Sequence, residues 1–253
     1  MTTPTLAKPN EERDIFLYQG TSDIVMSEAL VQYRTQLTFD ILRKVSRTRF
    51  ESVIDFGCGD GSNLHSLAQK VSAKKARGID LNVPEVLSGP IVLHRSNLLE
   101  CVPDEQYQLV ISNQVFEHIY ESWLPKYFYV LKTSCAPNGI ILISTPNRWR
   151  PRNILRILTF RRPYMMQSNK GVPLEQHLGH HRECSYRELQ IILNQHFQKP
   201  EWSISIIRTV PRMIESRVRE VANILVYFLL WVFWRPLLVS ASQDHYVVIQ
   251  RNP

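Results

Sequence analysis

Apolar residues along this chain fall into short continuous runs separated by stretches with three- and four-residue spacing, the signature of strands alternating with helices. Val53 to Phe56 is one such run, and Ser62 to Val71 after it has helical spacing. Ala76 to Asn82 and Ile91 to His94 predict the next two strands, and Tyr107 onward predicts a fourth. A helix from about Trp123 to Ser134, a Pro137-Asn138-Gly139 turn and a fifth strand over Gly139 to Arg148 follow. Ser185 and Glu188 form an S-x-x-E capping box opening a helix to about His196. Trp202 to Val210 and His245 to Gln250 predict two last strands, and Ile15 to Val45 an N-terminal helix. Strands alternating with helices predict an α/β fold around a doubly wound, mostly parallel sheet.

The first break in the pattern carries the most chemistry. Glycines at 57, 59 and 61 follow the strand and precede the helix, with Asp55 two residues before the first. Such a loop turns sharply, approaches a ligand without a Cβ in the way, and offers it the N–H groups and positive dipole end of a helix. A dinucleotide fingerprint spaces its glycines G-x-G-x-x-G to hold a pyrophosphate, whereas here the third glycine comes one residue early. A carboxylate at Asp55 would repel a pyrophosphate and attract an ammonium. Asp80 follows at about the interval where α/β nucleotide sites place the acid that receives two ribose hydroxyls.

From Asp55 to the Asp80 strand, through Tyr107 to Ile119 and the fifth strand, the chain resembles the class I S-adenosylmethionine-dependent methyltransferases. The likeness is to the small-molecule type that includes the ubiquinone-pathway O-methyltransferases, over about residues 50 to 148. It implies a seven-stranded sheet whose last strand is antiparallel, with S-adenosylmethionine as cofactor. The implied cofactor residues are Asp55, Gly57, Gly59, Gly61, Asp80, Leu81, Asn97, Asn113 and, near the methyl end, Gln114. Asn97 stands where the family usually has an Asp, and its carbonyl can still accept from the adenine amine. An N-terminal helix covers the cofactor cleft in this family, so Tyr18, Tyr33 and Arg34 are placed to face ligand. Candidate acid–base residues are His181 first, then His118 with Glu117, with His177 and His180 beside them.

A rival reading uses the same residues. Small-RNA terminal 2′-O-methyltransferases hold a metal through Glu-x-x-Glu-His and a later His, and this chain has Gln114-x-x-Glu117-His118 with His181 downstream. An amide is a poorer ligand than a carboxylate for a hard cation, so no metal is expected. A second rival is a non-catalytic binding protein on the same fold.

Composition narrows the partners. Net charge is +7 in 253 residues, which favours anionic partners; no aromatic–basic repeat of a single-strand platform is visible, so nucleic acid is not expected. Four scattered cysteines without a C-x-x-C pair suggest the cytoplasm. The expected organisation is one domain over 1–253: a tail at 1–14, a helical cap at 15–48, an Arg-rich insert at 149–176 and an apolar helical insert at 211–244. Six Arg and no Lys between Arg148 and Arg162 lean toward recognition of phosphate or carboxylate. Val221 to Trp234 has one polar residue in 14, too short to span a bilayer, which leaves a buried helix, a dimer contact or a membrane-dipping segment over 221–239. The expected acceptor is therefore a small-molecule, lipid-linked or glycan-linked group, anionic and methylated at oxygen, with peripheral membrane association on the cytoplasmic face. The oligomeric state is open.

Overall fold

The structure is a computed structural model, which describes residues 28–45, 47–83, 86–88, 90–160, 182–208, 242 and 244–252. The expected tail, residues 15–27 of the cap, His177, His180, His181 and nearly all of the apolar insert lie outside the described residues.

Helix α1 (Glu28–Val45) precedes strand β1 (Ser52–Phe56), α2 (Ser62–Lys70) and β2 (Lys75–Asp80). Then come β3 (Val86–Ser88), β4 (Ile91–Arg95), β5 (Tyr107–Asn113), α3 (Leu124–Ser134) and β6 (Cys135–Pro146). Helix α4 (Pro151–Leu158), α5 (Tyr186–His196), β7 (Trp202–Arg208) and β8 (Asp244–Arg251) complete the order. The strands form one sheet in the order β3-β4-β2-β1-β5-β6-β8-β7. β4, β2, β1, β5 and β6 are parallel, β7 and β8 form an antiparallel hairpin on β6, and β3 runs antiparallel on the far edge.

The expected seven strands are present as β4-β2-β1-β5-β6-β8-β7, with the last strand antiparallel, and β3 adds an eighth at the edge. β3 has only three residues, too few for a two-residue period to show in sequence. The Pro137-Asn138-Gly139 segment also behaves differently from the expectation of a turn before the strand. Asn138 does take a positive φ of 58°, but β6 already begins at Cys135, and the irregularity becomes a register shift between Tyr107 and Leu109 on β5. Ser185 accepts from the Glu188 N–H while Glu188 accepts from the Ser185 N–H at 2.8 Å, so the capping box is formed as expected.

Alternate residues of the central strands feed two cores. Ile54, Phe56, Val110, Ile141, Val247 and Ile249 pack with Phe116, Tyr127, Phe128, Leu189 and Leu193 on the α3 and α5 side. Val53, Leu109, Ile111, Leu142 and Val248 pack with Ile41, Leu42, Leu64 and Leu67 on the α1 and α2 side. Burial on both faces explains why these strands read as unbroken apolar runs. Parallel alignment brings the carboxyl ends of β2, β1, β5 and β6 to one edge. There Pro146 pairs with Asp244 and Arg208 with His245, so the chain leaves for both inserts from that edge.

Candidate functional site

Three loops meet at the carboxyl edge, and the loop after β1 is the tightest. Gly57, Gly59 and Gly61 have φ of 82°, 59° and 81°. At Gly57 a Cβ would lie 2.3 Å from Val115 Cγ2, so the turn needs glycine both for conformation and for the close approach of the loop after β5. At Gly59 a Cβ would meet nothing within 4 Å, so the tip of the loop borders open space. Gly61 then caps α2, whose buried Asn63 accepts from Thr35 Oγ1 at 2.9 Å and ties the loop to α1.

Two acids flank this loop. Asp80, ending β2, accepts from the Gly59 N–H at 2.9 Å and, through its other oxygen, from the Asn82 N–H at 3.0 Å. Each oxygen keeps a lone pair for a further donor. Asp55 lies on central strand β1, in register with Gly78 and Ile111. It is buried, and its Oδ1 has no hydrogen-bond partner among the described residues. Burial, and then the neighbouring Asp80 carboxylate, push its carboxyl up to about 7. Buried polar atoms are normally satisfied, so an orphan of this kind asks for a cationic or proton-donating ligand.

The same shortage recurs along the edge. Asn113 Oδ1, ending β5, and Thr145 Oγ1, near the end of β6, are also buried without a hydrogen-bond partner among the described residues. Gln114 follows with a positive φ of 57°; its N–H donates to Ser144 O at 2.9 Å and its side-chain amide to Ser144 Oγ at 3.3 Å. Asn97 closes an Asx turn after β4, with Oδ1 accepting from the Leu99 N–H at 3.0 Å. Its carbonyl is thus partly engaged, with one lone pair left for an adenine amine. Leu81 is half-buried beside Asp80, and its carbonyl accepts from Arg95 Nε at 2.9 Å.

Among the acid–base candidates, Glu117 and His118 lie in a 3-10 turn, Phe116–His118, against α3. Glu117 is fully buried and His118 partly exposed. The Glu117 carbonyl accepts from the Arg182 N–H at 3.2 Å, so the segment that follows His181 docks beside this turn; His181 itself lies outside the described residues. No group of three or more His, Cys, Asp and Glu among the described residues is placed to hold a metal ion.

Two of the arginines expected to recognise an oxyanion are instead committed internally. Arg150 Nη2 donates to the fully buried Glu183 at 2.5 Å, and Asn153 Nδ2 donates to the other Glu183 oxygen at 2.9 Å. Arg148 pairs with Glu188 at 2.6 Å and donates to the Glu183 carbonyl at 2.9 Å. A buried carboxylate needs such partners, and their separation by more than thirty residues hid them from sequence reasoning. His245 and Tyr246, at the start of β8, also reach this edge without being marked in the sequence. His245 is fully buried opposite Thr145, with Tyr186 6.4 Å away ring to ring. Tyr246 lies beside Ser144, and its hydroxyl, raised by burial and then by Asp244, is within the electrostatic reach of Tyr33 and Arg34. Tyr33 and Arg34 of α1 are thus near Tyr246, which pairs with Ser144 toward the carboxyl end of β6. The only sequence signal for His245 and Tyr246 was their place at the start of the last apolar run.

The methyltransferase domain family matches residues 30–196. Trans-aconitate 2-methyltransferase of Escherichia coli is 24% identical over 131 residues, 48% of this chain and 50% of that enzyme. The chain thus spans about half the length of the curated relatives it matches. Among solved structures, the methyltransferase domain of bacterial-CtHen1-C shares the fold with a TM-score of 0.55 at 19% identity, over 88% of this chain and 100% of that one. The 1,6-didemethyltoxoflavin-N1-methyltransferase of Burkholderia thailandensis, solved with S-adenosylhomocysteine, does so at 0.56 and 13%, over 100% of this chain and 94% of that one. The likeness to ubiquinone-pathway enzymes in particular finds no match among these relatives. Loop, acids and sheet order agree with the match over residues 30–196: the chain belongs to the class I S-adenosylmethionine-dependent methyltransferase family.

Proposed function

We propose that the protein transfers the methyl group of S-adenosylmethionine to an oxygen of a small-molecule or lipid-linked anionic acceptor. The observation that carries the reading is the orphaned Asp55 carboxylate beside the open Gly59 loop, with Asp80 one strand away. Asp55 would receive the cofactor's ammonium and Asp80 its ribose hydroxyls. Asn97 would accept from the adenine amine, Asn113 would contact the cofactor, and Gln114 would line the methyl end.

The bound cofactor supplies an activated methyl on a sulfonium, so the chain has to align an acceptor in line and, where needed, take up a proton. His118, with buried Glu117 preceding it, and His181 are the proposed proton acceptors. An anionic acceptor agrees with the net charge of +7 and with the name of the relative, since trans-aconitate carries carboxylates. Residues 221–239 would provide peripheral membrane contact, and the cytoplasm is the proposed location.

Incubating the protein with labelled cofactor and lipid, glycan, RNA and small-acid fractions tests this. Label in an acidic small-molecule or lipid fraction supports the reading. Label confined to RNA supports the rival, and tight cofactor binding with no labelled product in any fraction supports the scaffold.

A further inference from the structure

Eight large apolar side chains are exposed among the described residues, and five of them, Trp149, Leu155, Ile157, Leu158 and Phe160, fall within twelve residues around α4. Leu158 is 64% exposed and Phe160 fully so, where isolated exposed apolar residues are the usual pattern. The helix cannot roll to hide them. Asn153 and Ile154 on its inner side are buried, and Asn153 Nδ2 is held by the Glu183 carboxylate at 2.9 Å and by the Arg148 carbonyl at 3.0 Å. Leu155 and Leu158, three apart, share the outer stripe.

The charge written into this stretch of sequence has one sign. From Arg148 to Arg162 there are six arginines and no acid. Arg148 and Arg150 pair with Glu188 and Glu183, and the run from Arg148 to Arg162 contains no acid of its own, so its sequence charge stays positive. Trp and Leu flanked by Arg is the composition of a helix lying in a membrane interface, its rings at the headgroup level and its guanidinium groups toward acidic lipid. Eight residues reach only about 12 Å. No helix among the described residues is long and apolar enough to cross a membrane, so the element can lie in the interface but not cross it. A second copy of the chain is a poor occupant, because a two-fold contact would set this arginine run against itself.

We propose that the outer face of α4, from Trp149 to Phe160, docks the protein onto an anionic lipid bilayer. The helix begins five residues after β6 ends at Pro146, on the edge that carries the glycine loop, so docking turns the methyl-transfer site toward the headgroups. This deepens the proposed function and rests on it for the acceptor: a lipid-linked anion would meet the site without leaving the membrane.

The test uses the full chain in flotation assays with vesicles of phosphatidylcholine alone or mixed with phosphatidylglycerol. Leu155→Glu/Leu158→Glu/Phe160→Glu alters only exposed side chains, and Ile191→Glu, on the exposed face of α5, is the control. Expected are binding to anionic vesicles, binding at least about tenfold weaker to neutral ones, a similar loss in the triple variant and none in Ile191→Glu. Calorimetric S-adenosylmethionine affinity should stay the same in all three proteins. The proposal is overturned if the wild type ignores anionic vesicles, binds neutral ones equally, or keeps its binding in the triple variant. Wild-type dimers that dissociate in the triple variant would assign the face to a second copy and overturn it too. Failure to bind the cofactor would instead remove the methyltransferase reading and leave the vesicle result legible by itself.

Discussion

Replacing Asp55 by Asn should stabilise the empty protein and weaken its cofactor affinity. In the unfolded chain this carboxyl loses its proton near 3.8, and in the folded chain near 7, because burial and then Asp80 oppose its charge. Between those values the folded state holds the extra proton, so stability falls as pH rises and the loss is complete above about 7. The displacement corresponds to up to about 4 kcal/mol at pH 8. Asn cannot ionise, so Asp55→Asn should be flat through this window, and each kcal/mol recovered is worth about 2–4 °C in Tm for a chain of this size. Saturating S-adenosylmethionine, whose ammonium would neutralise the carboxylate, should remove the wild-type slope, with affinity rising as pH goes from 5.5 to 7. Thermal scans between pH 5.5 and 8.5, with and without cofactor, read both effects. A variant no more stable than wild type at pH 8 would refute the buried-charge argument. Unchanged affinity in the variant would refute the ammonium assignment.

Other perturbations separate structural from ligand roles. Gly59→Ala should cost only about 1–2 kcal/mol of stability, since its Cβ meets open space, yet lower cofactor affinity; Gly57→Ala should cost clearly more, because its Cβ strikes Val115. Denaturant melts compare the two. Asp80→Ala should weaken cofactor binding by roughly 1.5–3 kcal/mol in calorimetry, and an unchanged constant in a folded protein would remove the ribose assignment. Arg150→Ala leaves Glu183 buried and should cost about 3–5 kcal/mol, largely restored by adding Glu183→Gln. Turnover should survive a chelator, and a loss reversed by magnesium or manganese would revive the metal-assisted reading.

The parallel core was legible because its strands are buried on both faces and written in unbroken Val, Ile and Leu, and because glycine spacing reports backbone geometry directly. Asp55 and Asp80 could be named in advance for the same reason: their place relative to those glycines follows from sequence distance. What depended on pairing between distant residues was not legible. Nothing near Arg150 in sequence announces Glu183, so an arginine run that reads as a binding patch turned out to be partly a structural clamp. Nor does a three-residue edge strand such as Val86–Ser88 leave a periodic trace. His245 became visible as a neighbour of Thr145 only once the hairpin placed it there.

That clamp has a consequence for how the protein can change. Asn147 bridges Cys184, the Arg148 N–H donates to the Cys184 carbonyl, and Arg150 grips Glu183, so the chain on either side of residues 161–181 is stapled together at its base. With the stem closed by its own bonds, a doubling of the intervening length adds only about 0.6 kcal/mol of closure entropy. The stem can therefore keep its geometry through changes in the length of chain between Phe160 and Arg182, so long as Arg148, Arg150, Glu183 and Cys184 stay in place.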